Sequence, residues 1–64
     1  MEFTDLDMLQ DYEKDTRLAA ICYSLIQTEI QDPTLRTIIG KAKNEAADSQ
    51  QAAAKLILSK GGYP

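Results

Sequence analysis

One pair of acidic residues has the spacing of a metal-binding motif. Glu45 and Asp48 lie three positions apart, as do the ligands in the Glu-x-x-His motifs with which di-iron four-helix bundles hold their metals. The chain contains no histidine, and folding it into a hairpin brings no second carboxylate opposite Glu45. We therefore predict no metal site and no cofactor, and expect both acids to be solvated or ion-paired, with Arg17 as a candidate partner.

The other reactive side chains lack the neighbours that catalysis requires. Cys22 is the only cysteine, and its apolar surroundings disfavour a reactive thiolate, so a buried structural thiol is favoured over an intermolecular disulfide. Tyr12 and Tyr23 have the helical spacing of core residues, whereas Tyr63 is expected to be exposed and open to oxidative cross-linking. There is no Gly-rich phosphate loop and no Ser-His-Asp set. We predict that the protein is not an enzyme and has no catalytic residues.

The elements that carry these residues are two helices that meet at Asp32 and Pro33. Asp32 is a good N-cap, and Pro33 suits the first position of a helix, where its missing N–H costs nothing. The sequence therefore predicts an all-α fold, a hairpin of two long antiparallel helices joined by a tight Asp-Pro turn. Helix 1 is expected over about 5–31 and helix 2 over about 33–60 of a single domain.

Local signals predict the helix ends and the turn. Thr4 and Asp7 have the spacing of a capping box, and Phe3 could pack on Met8 as a hydrophobic staple. Gly61 is expected to end helix 2 in the left-handed conformation.

Two charged residues flank the predicted turn. Glu29 and Arg36 lie at one level on either side of it. We expect them to pair and to hold the hairpin together.

Apolar and small residues recur every three or four positions in both segments, which is typical of helices that pack on one side. The stripe predicted for helix 1 comprises Leu9, Tyr12, Thr16, Ala19, Tyr23, Ile26 and Ile30. The stripe predicted for helix 2 comprises Leu35, Ile39, Ala42, Ala46, Ser49, Ala53 and Leu56. Gly40 interrupts helix 2 at a cost of about 1 kcal/mol relative to alanine, so it marks either a close backbone contact or a slight bend.

The middle of helix 1 is apolar on nearly every side. The segment from Leu18 to Ile26 has too many apolar directions for one neighbouring helix to cover, and a helix that is apolar all round is normally buried all round. A chain of 64 residues with one cysteine and no histidine also needs help to stay folded, and oligomerisation is the route that remains. We predict a homodimer whose interface contains Leu18, Ile21, Cys22 and Leu25.

Charge and composition restrict the other partners. The net charge is −3, from ten acidic and seven basic residues, whereas nucleic acids and anionic membranes select basic surfaces. No stretch approaches the roughly 20 apolar residues of a membrane span. We expect a soluble, cytoplasmic protein that binds neither nucleic acid nor membrane.

Several short motifs together resemble the spore coat protein F family of endospore-forming bacteria. They are Asp7-Met8-Leu9-Gln10-Asp11, Glu29-Ile30-Gln31-Asp32-Pro33-Thr34-Leu35-Arg36, Glu45, and Lys60-Gly61-Gly62-Tyr63-Pro64. The resemblance implies a ferritin-like fold and a structural role in or around the spore coat, with coat or assembly proteins as partners. Two helices are half of such a bundle, so a homodimer would complete the four.

Three functions compete at this point. The leading hypothesis is a non-enzymatic structural or assembly protein, and the alternative is a small regulatory module that binds a partner helix. A degenerate ferritin-like metal or redox protein ranks third, because the chain lacks histidine and a matched set of carboxylates.

Overall fold

The computed structural model describes residues 4–64 and shows two helices in antiparallel contact. Helix α1 runs over Asp5–Glu29 and helix α2 over Pro33–Ser59. No strand occurs in that part of the chain, so the predicted helical hairpin is confirmed. Both helices end slightly before their predicted ends, α1 by two residues and α2 by one.

The start of α1 is fixed by a capping box. The backbone N–H of Asp7 donates to the Thr4 hydroxyl, and the backbone N–H of Thr4 donates to the Asp7 carboxylate, each over 3.1 Å. This reciprocal pair satisfies two donors that the first turn leaves free. The predicted cap is confirmed, while the predicted contact of Phe3 with Met8 lies outside the described residues.

The turn comprises residues 30–32. Ile30 and Asp32 both have extended backbone angles, with ψ of 129° and 119°, and the extended Ile30 ends α1 before its predicted end at residue 31. The Asp32 carboxylate accepts from the N–H groups of Thr34 and Leu35 over 2.8 and 3.1 Å. Pro33 opens α2 as expected. The turn is therefore a three-residue linker that ends in a strong N-cap.

The prediction that Glu29 and Arg36 form an ion pair across this turn is wrong. The Arg36 guanidinium donates through Nε to the Ile30 carbonyl over 2.7 Å, and within residues 4–64 Glu29 has no ion-pair partner. Arg36 thus satisfies a carbonyl that the end of α1 leaves free. It holds the turn through the backbone and needs no acid for this.

The C-terminal end of α2 is a Schellman motif. Gly61 has a φ of +83°, and the N–H groups of Gly61 and Gly62 donate to the carbonyls of Leu58 and Ile57. This is the hydrogen-bond pattern that a left-handed residue after the helix produces. The tail then folds back on α1, where the Gln10 amide donates to the Tyr63 carbonyl over 3.1 Å.

The contact between the helices follows a seven-residue repeat, which we call the seam. All of its positions are buried or half-buried. In α1 and at its C-cap the seam contains Leu6, Leu9, Glu13, Thr16, Ala20, Tyr23, Gln27 and Ile30. In α2 the seam contains Ile39, Lys43, Ala46, Gln50, Ala53 and Ile57. Its spacing alternates between three and four residues, as in helices that pack at a shallow angle.

The predicted stripes are therefore partly wrong. Tyr12, Ile26, Leu35 and Leu56 were expected inside, yet each is 42–52% exposed. The seam instead takes in Glu13 and Ile57, which are fully buried. Side-chain size does not select the seam, because it contains the large Tyr23 and Ile57. The polar residues of the seam are tolerated because they have partners, Glu13 in Arg17 and Gln27 in Lys43.

Gly40 marks a close contact between the helices. A β-carbon built at Gly40 would lie 2.8 Å from the Gln27 amide nitrogen. The Gln27 side chain also accepts from the Lys43 ammonium over 3.1 Å. The glycine therefore makes room for a glutamine that links the two helices near the turn.

Candidate interaction surfaces

The seam contains one buried ion pair. Glu13 is fully buried, and both of its carboxylate oxygens accept from Arg17 Nη2, Oε2 at 2.9 Å. Arg17 comes from the next turn of the same helix, and its side chain is 48% exposed. Of the two alternatives left open for Glu45 and Asp48, an ion pair with Arg17 is therefore wrong. The ion pair compensates the charge of Glu13 and so lowers the cost of burying this carboxylate in the seam. Because both residues belong to α1, the pair adds little to the contact between the two helices.

The acids with metal-ligand spacing do not form a site. Glu45 and Asp48 are both exposed, and within the described range no group of three or more Cys, Asp or Glu residues is arranged to hold a metal ion.

The exposure of Cys22 and Tyr12 differs from the prediction, whereas that of Tyr63 agrees with it. Cys22 is exposed in the single hairpin, so α2 does not bury it as a structural thiol. Tyr12 is 52% exposed where a core position was expected, Tyr23 is half-buried, and Tyr63 is 82% exposed as predicted.

The most unusual property of this hairpin is how little it buries. Only Glu13, Ala53 and Ile57 are buried among residues 4–64. The accessible surface is 4833 Å² for a chain of 7.1 kDa, against about 4,100 Å² expected for a folded monomer of that mass. Among residues 4–64, eleven large hydrophobic side chains are at least 42% exposed. The unusual chemical character of this part of the chain therefore lies on its surface.

Much of that apolar surface lies on one side of the hairpin, which we call the front face. It consists of the residues that directly precede seam residues, together with Leu35, which extends the same repeat. From α1 these are Asp5, Met8, Tyr12, Asp15, Ala19, Cys22, Ile26 and Glu29. From α2 they are Leu35, Ile38, Ala42, Glu45, Ser49, Ala52 and Leu56.

Both rows lie on the same side for a geometric reason. One step back along a helix rotates the side chain by about 100°. An antiparallel pair of helices has an approximate two-fold axis perpendicular to the plane that contains both helices. Rotation about this axis exchanges the helices but keeps each side of the plane where it is, so residues that precede seam residues lie on the same side in both helices. Six large apolar side chains of the front face are therefore neighbours on one surface: Met8, Tyr12, Ile26, Leu35, Ile38 and Leu56.

The opposite side, the back face, is mostly polar. It consists of the residues that directly follow seam residues. From α1 and the turn these are Asp7, Gln10, Lys14, Arg17, Ile21, Ser24, Thr28 and Gln31. From α2 they are Gly40, Asn44, Ala47, Gln51, Ala54 and Leu58. Only two of its residues, Ile21 and Leu58, are large and apolar, so the hairpin is amphipathic as a whole.

The predicted interface residues form a third surface, which we call the outer strip. Leu18, Ile21, Cys22 and Leu25 all lie on the side of α1 turned away from α2, and all four are exposed. Cys22 borders the front face and Ile21 borders the back face. Their exposure agrees with the inference that the partner helix cannot cover this segment, while their place in a dimer stays a prediction.

Neither described helix is long and apolar enough to cross a membrane. Comparison of the chain with protein families, with curated proteins and with solved structures finds no match.

The sequence does not distinguish the front face from the seam, because each helix carries two overlapping repeats of three-and-four spacing. Positions 12 and 13, or 56 and 57, fit three-and-four spacing equally well. Apolar character favoured Tyr12 over Glu13, and nothing local distinguishes Leu56 from Ile57. Small residues give no signal either, because Ala19, Ala42 and Ala52 lie in the front-face rows and Ala20, Ala46 and Ala53 in the seam.

Proposed function

We propose that this chain is a non-enzymatic structural protein that functions as a homodimeric four-helix bundle, with the front faces of two hairpins packed together. The observation that carries the proposal is the contrast between the two sides of the hairpin. The front face presents six large apolar side chains, and the back face presents two. A hairpin that needed no partner would have no reason for this asymmetry.

Stability argues for the same arrangement. Three buried residues among residues 4–64 are a small core, and a stretch of 64 residues with one cysteine and no histidine normally needs a further source of burial. A second copy supplies it with a surface that has the same repeat. Front-face packing would surround each seam with two more helices and convert half-buried apolar side chains into a core.

The size of the front face is adequate for a stable dimer. The hairpin is 45 Å long and 23 Å wide, so the rectangle that encloses each front face measures on the order of 1,000 Å². A standard stable interface buries about 800 Å² per partner.

A matched pair of aspartate substitutions tests this proposal. Ile38 on the front face and Leu58 on the back face are both on α2 and are 55% and 54% exposed. We expect Ile38→Asp to shift the protein toward the monomer, because it places a charge in the interface, while Leu58→Asp stays dimeric. Light scattering after size-exclusion chromatography measures the masses, and circular dichroism reports helicity. A dimeric Ile38→Asp, or dissociation by both substitutions alike, would contradict the front-face assignment.

The setting that we propose for this dimer is the spore coat, as the resemblance to spore coat protein F implies. A fluorescent fusion observed during sporulation tests the setting separately from the dimer. A ring around the forespore supports it, and a diffuse cytoplasmic signal opposes it.

The outer strip favours one alternative, a regulatory module that binds a partner helix. Leu18, Ile21 and Leu25 were predicted in the dimer interface, but they remain exposed when front faces pair, so the proposed dimer differs from that prediction. They have the spacing with which helices pack. The diffuse signal would favour this alternative.

A further inference from the structure

Each row of the front face has a small residue near its middle, Ala19 in α1 and Ser49 in α2. In α1, Ala19 lies seven residues from Tyr12 and seven from Ile26, and in α2, Ser49 lies seven residues from Ala42 and seven from Leu56. In α1 the two flanking residues, Tyr12 and Ile26, are both large, whereas in α2 Leu56 is large and Ala42 is small. Both rows have a small residue, Ala19 or Ser49, at the position between them.

The two centres lie at the same level of the hairpin. Leu6, 13 residues before Ala19, lies beside Gly62, 13 residues after Ser49. Gln27, eight residues after Ala19, lies beside Gly40, nine residues before Ser49. The register of the hairpin is thus fixed at both ends, and it brings Ala19 and Ser49 side by side.

We infer that the partner on the front face is a second copy in antiparallel orientation, with the two turns at opposite ends of the bundle. Its two-fold axis passes at the level of Ala19 and Ser49. This inference rests on the proposed homodimer and adds its geometry. Each α1 packs along the α1 of the other chain, and each α2 along the other α2.

Side-chain sizes fit this orientation. In the antiparallel dimer Tyr12 of one chain meets Ile26 of the other, and the large Leu56 meets the small Ala42. At the centre Ala19 meets its own copy and Ser49 meets its own copy, which permits close approach of the backbones.

The front face carries four acidic residues, Asp5 and Glu29 at its ends and Asp15 and Glu45 nearer its middle. Asp15 comes to the level of the small Cys22 in the other chain, and Glu45 comes to the level of the small Ala52. These two carboxylates can therefore reach water past small neighbours and need not face each other directly.

The alternative orientation makes different neighbours. If the two turns lay at the same end, each α1 would pack along the α2 of the other chain. Ala19 would then face Ser49, and the two copies of Ala19 would be diagonal across the bundle. Disulfide trapping separates the two geometries, because a disulfide requires Cα atoms roughly 4.4–6.8 Å apart.

The experiment uses single cysteines in the Cys22→Ser background. We expect Ala19→Cys alone and Ser49→Cys alone each to form disulfide-linked dimers under mild oxidation, seen on non-reducing gels. Ala47→Cys, on the back face near the same level, is the matched control and should remain monomeric on the gel. The wild-type chain should also remain uncross-linked. Its two Cys22 residues are offset by about six residues along antiparallel helices, or about 9 Å at 1.5 Å per residue.

The outcomes separate the orientation from the dimer itself. Cross-linking of each single variant, with none for Ala47→Cys, supports the antiparallel bundle. Cross-linking only when the Ala19→Cys and Ser49→Cys chains are mixed overturns the orientation and leaves the dimer standing. Absence of cross-linking in chains that sediment as dimers also overturns it. Absence of cross-linking in chains that sediment as monomers overturns the proposed function.

Discussion

Three consecutive residues of α2 point to three different surfaces and give a stringent test of the seam. Ile57 is fully buried, Leu56 is 51% exposed on the front face, and Leu58 is 54% exposed on the back face. Truncation of a fully buried isoleucine to alanine costs about 2–5 kcal/mol. The total stability of a domain this small is about 3–10 kcal/mol. Ile57→Ala should therefore remove a large part of the stability of the hairpin.

The neighbouring substitutions should behave differently. Leu56→Ala removes apolar area that only a second chain can cover, at about 1 kcal/mol per copy. The two copies together should weaken the dimer roughly 30-fold. Leu58→Ala changes a solvated side chain, and its effect should stay within about 0.5 kcal/mol.

Urea unfolding followed by circular dichroism, at several protein concentrations, measures all three effects. Ile57→Ala should lower the midpoint at every concentration, Leu56→Ala should lower it by less and only at concentrations at which the protein is dimeric, and Leu58→Ala should leave it unchanged. Equal shifts for Ile57→Ala and Leu58→Ala would show that α2 does not face α1 in the described register. The reasoning about both the seam and the front face would then be refuted.

Three further predictions concern single interactions. Asp32→Ala should lower the free energy of unfolding by about 1 kcal/mol because two backbone donors of α2 lose their acceptor, whereas Asp32→Asn should retain most of the stability. Equal losses for the two variants in thermal melts would argue against the cap. Gly61→Ala should cost about 1 kcal/mol because the left-handed backbone disfavours a β-carbon, and a milder effect of Gly61→Asn would confirm the reason; no loss for either would contradict it. Arg17→Met should lower the free energy of unfolding by about 1–3 kcal/mol because it leaves the Glu13 carboxylate buried without its donor. The added change Glu13→Leu should restore that stability. A double variant no more stable than Arg17→Met would show that the carboxylate is solvated.

The parts of the fold that local chemistry determines could be predicted from the sequence. The Thr4 cap, the Asp32 cap, Pro33 at the first helical position and Gly61 beyond α2 each depend on a few neighbouring residues. They were all found where expected. The end of α1 was placed two residues late because the turn needs an extended Ile30, and no local signal specifies this.

The rotation of each helix about its axis could not be predicted in the same way. It depends on which of two adjacent rows the other helix covers, and apolar content alone selected the wrong row. A charged residue, Glu13, occupies the most buried position of α1 because Arg17 is available one turn later to compensate it. The ion pair expected between Glu29 and Arg36 failed for a related reason, since the nearer Ile30 carbonyl is the acceptor that the turn leaves free.

The central claim is that two copies of this hairpin form one folding unit. Sedimentation equilibrium of the wild-type chain at micromolar concentration under reducing conditions tests it most directly. The account predicts a mass of twice the 7.1 kDa chain, with helicity falling as the dimer dissociates on dilution. A stable, fully helical monomer of 7.1 kDa at the same concentration would contradict it.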